Sequence, residues 1–451
     1  MKKLLLAISV VVAACSPATE APVVSTPAEA STAPASTSQS PAESRLGVSA
    51  SALRGLSVEV WHPWYGVESD LFDSLIEEFN ETNPWEIKVH AESQINFSYL
   101  FERVSAVLAT AGRPDVVVAL PEHAVNWHEQ GHVVDLKPYV EDPLYGTAYR
   151  DFPIVFWNQD SVRGHRLGLP AQRSSRFLLW NESWAAELGF ESPPTTTEDF
   201  QAQVCAANRF MRTDGTPEND GRGGWLIASD SMTAYGWLLA FQGAVLEGGD
   251  YRFLAPNNIE AFEFLKELRR SDCAWQAAGA DAAPTAFATR EALVVSAAME
   301  DLPVQSRAMA QEGNADVWHP IAFPGDAVIP VYGSSYMLLR SAAPQQLASW
   351  LFIRWLTETD QDARFVEATH LYPLRTATVD LLSAYEKSHP QWGEAIKLLP
   401  AGHLQPQLAS WRTIKVMLED GFTCLMGDVP ACEQPPVVLA QMESASRELS
   451  D

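Results

Sequence analysis

Residues His128-Glu129-Gln130-Gly131-His132 fit H-E-x-x-H, the helical pattern of many zinc hydrolases. That chemistry needs both imidazoles on one helical face, a third protein ligand, and the glutamate as general base. Gly131 stands where the helix should stop, because glycine is poor inside a helix and common just past its end. His132 then lies beyond the helix and points elsewhere, and no companion ligand signature follows. The expectation is no metal and no cofactor. No G-x-S-x-G elbow and no P-loop occur. Glu300 and Asp301 are the one carboxylate pair placed near a cleft, and adjacent residues diverge, so they do not suggest a glycosidase. These residues therefore supply no catalytic constellation, and the expectation is no enzyme.

The elements that position these residues alternate between strand and helix. "LSVEVW" (56–61) alternates apolar and polar residues as a strand does, and Leu71, Phe72, Leu75, Ile76 and Phe79 follow at helical spacing. "EIKVHA" (86–91) is a second strand, and Leu100 to Ala111 marks a second helix. "PDVVVAL" (114–120) has the continuous apolar run of a buried parallel strand. This β-α-β-α-β order predicts a parallel sheet, with ligands beyond the carboxyl ends of its strands. "GWLIASDS" (224–231) and "TAYGWLLAFQ" (233–242) predict a further strand and helix.

The net charge of −26 sets the chain against nucleic acid, and 15 tryptophans leave some for stacking on ligands. Lys2, Lys3 and the apolar run Leu4–Ala14 form an export signal too short to span a bilayer. Val12-Ala13-Ala14-Cys15 resembles the lipobox of bacterial lipoproteins, which implies a signal peptide at 1–14 and lipidation of Cys15. The Ala/Ser/Thr/Pro-rich stretch that follows, to about residue 53, predicts a disordered tether. The expected location is the outer face of the cell membrane, at the periplasm or cell surface. Export favours disulfides: Cys424–Cys432 across a short loop, and Cys205–Cys273 over a long one.

In order along the chain, "LFDSLIEEFNETNP", "RPDVVVALPEHAVNWHEQGHVVDLKPYV", "RLGLPAQRSSRFLLWNESWAAELGFESPPTTTEDF", "GSSYMLLRSAAPQQLASWLFIRWLTETDQDARF" and "YPLRTA" resemble segments of the extracellular solute-binding proteins. The resemblance is to the sugar-binding type that serves bacterial ATP-binding-cassette importers. Thr197 departs from the family's usual tryptophan. The resemblance implies an α/β fold of two lobes joined by three hinge crossings, placed near 171–176, 294–300 and 331–336. The lobes would be 54–172 with 299–332, and 173–298 with 333–451. It further implies a monomer that captures a mono- or oligosaccharide and delivers it to membrane permease subunits.

A sugar site needs aromatic platforms and paired hydrogen-bonding groups. Position and type select Trp61, His62, Trp64, Gln94 and Glu122 at the ends of the first three strands. Trp225, Asp230 and Trp237 are the choices in the second lobe. Glu300, Asp301, Tyr332, Ser334 and Tyr336 lie on the crossings, and Arg375 completes the set. Alternatives are the same fold with glycerol phosphate or a polyamine. A phosphate would draw on Arg173, Arg176 or Arg375. An exported zinc hydrolase at HEQGH is the less favoured reading.

Overall fold

A computed structural model describes residues 43–277, 279, 282–427 and 429–449. The expected signal peptide, the expected lipidation at Cys15 and the expected tether up to residue 42 lie outside the described residues. Valine-rich Ser57–His62 pairs in parallel with Lys88–Ser93 on one side and Val116–Ala119 on the other. Ser335–Leu338 then adds antiparallel to Val116–Ala119, and Leu169–Pro170 closes this five-stranded sheet. The helix Val67–Thr82 buries Phe72, Leu75, Ile76 and Phe79 on one stripe, the spacing that the sequence predicts. Ala343–Leu356 packs Leu347, Trp350 and Leu351 into the same core.

The second sheet is built on Ser174–Asn181. Ala292–Ala298, Trp318–Ile321 and Ile329–Tyr332 all pair antiparallel with it. Gly223–Leu226 lies parallel to Ala292–Ala298, and Ala274–Trp275 parallel to Gly223–Leu226. Helices Thr197–Thr213, Ser231–Ala240, Pro256–Arg270 and Trp411–Met426 cover its core. Cys205 is bonded to Cys273 and Cys424 to Cys432. Both bridges belong to this lobe.

The expected division of the lobes is corrected after residue 298. Segment 299–332 belongs with the second sheet, and Ser335–Leu338 with the first. The chain does not cross at 294–300, because the Asp301 carboxylate accepts the Ala298 N–H at 2.8 Å and turns it back along its own lobe. One connection between the sheets runs between Pro170 and Ser174, and another at Gly333–Ser334. The two are bonded together: the Ala171 and Gln172 N–H groups donate to the Ser334 carbonyl at 3.0 and 3.2 Å. Gly333 has φ +143°, and a Cβ there would meet the Gln172 carbonyl at 2.1 Å, so no other residue fits. A third link joins at Tyr372, whose N–H donates to the Arg173 carbonyl at 3.0 Å.

Residues 43–53, expected to lie within the tether, instead pack on the first lobe. Ser44 Oγ and the Arg45 N–H donate to the Asp142 carboxylate at 3.1 and 2.7 Å, and Leu53 is fully buried. Leu46, Val48 and Leu53 give residues 43–53 the apolar side chains that an Ala/Ser/Thr/Pro tether lacks.

Candidate functional site

The parallel strands of both sheets deliver their carboxyl-end loops to the hinge. In the second lobe, Gly223–Leu226 runs on to Asp230, which caps the helix Ser231–Ala240. One carboxylate oxygen accepts the N–H groups of Met232 and Thr233, each at 2.9 Å. The neighbouring strand ends at Ala298 and leads into Glu300 and Asp301. Arg176 sits opposite Ala298 in register. Its guanidinium therefore lies 3.2 Å from Asp230 and 3.6 Å from Asp301. Ser174 Oγ donates to Glu300 at 2.6 Å, and the Tyr332 hydroxyl donates to it at 3.3 Å. Burial alone would lower Arg176, but Tyr332, Asp230, Asp301 and Glu300 hold it above its ordinary value.

The first lobe answers with Glu68, in the first turn of Val67–Thr82. Gln172 donates to Glu68 at 3.1 Å and accepts the Trp64 indole N–H at 2.7 Å. Burial pushes Glu68 up, and the charge of Glu300 adds to that push. Glu300 is raised by burial as well, against the Ser174 hydrogen bond.

Continuous with this cluster through Tyr332 is a cavity of about 620 Å³ between the lobes. Phe97, Glu122, His123, Gln405, Arg412 and Lys415 are among the residues that line it. Lys415 reaches across from the helix Trp411–Met426 to pair with Glu122. Burial opposes ionisation of Glu122, but Lys415 and His123 prevail and hold it below the usual carboxylate range. Arg412 stacks 4.4 Å from the Phe101 ring and lies 3.7 Å from Glu102. Burial drives His123 down to about 4, so it is neutral near pH 7, and its Nδ1 meets no protein partner.

Of the residues selected from sequence, Asp230, Glu300, Asp301 and Tyr332 converge on this cluster, and Glu122 lines the adjoining cavity. The others are corrected by burial. Trp225 and Trp237 are fully enclosed in the second core, packed edge-on against Phe200 and tilted against each other. Trp64 packs on Phe72, Tyr336 and Phe365, His62 lies beside Trp64, and Tyr336 is buried with them. Arg103 covers the Trp61 ring at 4.4 Å and donates to buried Gln94 at 2.5 Å. Ser334 is buried in the hinge, where its carbonyl serves both crossings. Arg375 is structural: it binds the Thr357 carbonyl and the Thr147 hydroxyl and stacks on Phe152. Arg173 is likewise spent on Asp160 at 2.7 Å.

Glu68, Gln172, Ser174 and Lys415 were not selected. A polar face on an amphipathic helix ordinarily meets water, and only tertiary packing turns Arg412 and Lys415 toward a cavity. Ser174 and Arg176 carry a weak signal, since they alternate outward on a crossing strand.

HEQGH behaves as its glycine requires. The helix Pro121–Glu129 ends before Gly131, which has φ +79°, and His132 lies past the end. His128 faces His165 at 5.0 Å, and His165 binds Asp135 at 2.9 Å. Among the described residues no group of three or more His, Cys, Asp or Glu is arranged to hold a metal ion.

The sequence profile of the bacterial extracellular solute-binding proteins matches residues 74–394. No curated protein matches the chain significantly. Among solved structures, the sugar-binding protein MalE of Xanthomonas citri is similar at TM-score 0.73 and 18% identity, over 87% of this chain and 97% of that one. The cyclic alpha-maltosyl-1,6-maltose binding protein of Arthrobacter globiformis aligns at TM-score 0.71 and 16% identity, over 87% and 98%. UgpB of Mycobacterium tuberculosis, in complex with glycerophosphocholine, aligns at TM-score 0.70 and 17% identity, over 88% and 98%.

Proposed function

The chain belongs to the bacterial extracellular solute-binding proteins, and from that premise we propose that it captures a mono- or oligosaccharide between its lobes. Membership places it outside the cytoplasm and among binding proteins, not enzymes. One observation carries the carbohydrate reading. Ser174, Arg176, Glu300 and Tyr332 form a tight array of hydroxyl, guanidinium and carboxylate groups at the hinge, facing Glu68 and Gln172. Such groups pair with adjacent sugar hydroxyls, each of which both donates and accepts. The cavity beside them lies within the usual volume range of small-molecule sites.

A phosphate finds less support. Arg173 and Arg375 are held in buried structural contacts, and Arg176 is already flanked by two aspartates. In the proposed cycle, closure about the hinge presents the loaded protein to permease subunits of an ATP-binding-cassette importer. Lipidation of Cys15 keeps the monomer at the membrane surface. Thermal unfolding of the soluble form beginning at residue 43 tests the ligand. A saturable rise in Tm with a mono- or oligosaccharide is expected, because the ligand binds only the folded state. A rise with glycerophosphodiesters alone overturns the carbohydrate reading.

A further inference from the structure

We infer that the solute carries a protonated amine, held between Glu68 of one lobe and Glu300 of the other. This deepens the carbohydrate reading and rests on it for the rest of the ligand. Most charges in the cleft are already used. Asp230 is committed to its helix cap and Arg176, and Asp301 to the Ala298 N–H and Arg176. Arg176 is thereby more than neutralised. Arg412 and Lys415 are matched by Glu102 and Glu122. Glu68 and Glu300 remain at the hinge, and exposed Glu419 also lines the cavity. Glu68 accepts one hydrogen bond, from Gln172, and Glu300 accepts two, from Ser174 and Tyr332. Glu300 feels the charge of Arg176, which it shares with the two aspartates, and among the described residues neither Glu68 nor Glu300 lies within ion-pair distance of a cation.

These two carboxylates come from opposite lobes and meet the same crossing strip, where Gln172 donates to Glu68 at 3.1 Å and Ser174, two residues on, donates to Glu300 at 2.6 Å. Closure therefore brings like charges together unless something positive enters between them. An ammonium does this with three donors and no acceptor, which matches two acceptor-only partners. A second feature points the same way. His123 is buried, lines the adjoining cavity, and leaves Nδ1 without a protein partner. A neutral imidazole ring of that kind accepts or donates one hydrogen bond at that nitrogen, according to its tautomer. The acidic protein surface also attracts a cationic solute over long range.

The test compares matched probes on the soluble form from residue 43, by calorimetry and thermal shift at a pH that keeps amines protonated. Glucosamine oligomers of two to four units are set against their N-acetylated counterparts, with maltotetraose as a neutral sugar and spermidine as an amine without sugar. Glucosamine oligomers are expected to bind more tightly than the N-acetylated set, and to weaken with added salt. Glu300→Gln and Glu68→Gln should each reduce that preference by on the order of thirtyfold, while the fold, checked by circular dichroism, persists. Equal binding of the acetylated oligomers, or binding of maltotetraose alone, overturns the amine and leaves the carbohydrate reading standing. Binding of spermidine with no response to any saccharide supports the amine and overturns the carbohydrate. No response to any amine-bearing probe overturns the inference.

Discussion

The strand-end loops of the two lobes face the same hinge but use their residues in opposite ways. In the first lobe the loop after Ser57–His62 carries aromatic rings, and the Trp64 ring turns inward onto Phe72 and Phe365. Tyr65, beside it, is 76% exposed. In the second lobe the corresponding loops carry Asp230, Glu300 and Asp301, which stay at the cleft. The shared topology fixes where such loops emerge. Side-chain chemistry then decides which of them can leave the core: indoles with buried neighbours go in, and the second lobe's carboxylates stay at the cleft.

That contrast can be broken, beginning with the largest effect. Trp237→Ala should cost about 4 kcal/mol, since it empties a fully buried aromatic site in the second core. Tyr65→Ala should change stability by less than about 0.5 kcal/mol. Urea unfolding of the two variants measures the difference, and equal losses would show that the two rings are not used differently. Next, Cys205→Ser with Cys273→Ser should remove about 3 kcal/mol, because the bridge closes a loop with a sequence separation of 68. Limited proteolysis should then cut the second lobe first. Cleavage confined to the first lobe would sink that assignment.

Lys415→Met leaves buried Glu122 without its cation and should cost about 2 kcal/mol in unfolding experiments. The same variant should show a larger radius of gyration in small-angle scattering, since the pair links the lobes. An unchanged radius would mean that the Lys415–Glu122 pair does not hold the lobes together. The smallest effect concerns His319, which bonds Glu394 at 2.7 Å and Glu182 at 2.6 Å. Burial opposes its charge, but the two carboxylates prevail and raise it. Its contribution is complete below its unfolded value, near pH 6.5, and is lost as pH rises through the higher folded value. The Tm of the native chain should therefore fall relative to His319→Gln between about pH 6 and pH 8. Parallel curves would remove His319 from the account.

Much of the fold is legible in local pattern. The first three strands and two helices follow from alternation and helical spacing, and both disulfides from compartment and separation. The lobe boundaries are not, because they depend on which strand Ile329–Tyr332 and Ser335–Leu338 choose as partners. Hydrophobic strands in either lobe read alike. The same limit governs the site. Asp230, Glu300 and Tyr332 are found by position at strand ends and crossings. Trp225 and Trp237 mislead because an aromatic residue on an apolar helix or strand carries no mark of which side it faces. Glu68 and Lys415 sit on helices whose polar faces look solvated until the other lobe closes over them.

The hinge has a mechanical consequence. The strips 171–173 and 333–334 are laced together at the Ser334 carbonyl, and the strip through Tyr372 is tied to Arg173. Straps fastened side by side flex across their width and resist sliding past one another. The lobes are thereby steered along a single arc, like the covers of a book on its spine. Gly333 is the stitch that lets the leaves lie flat.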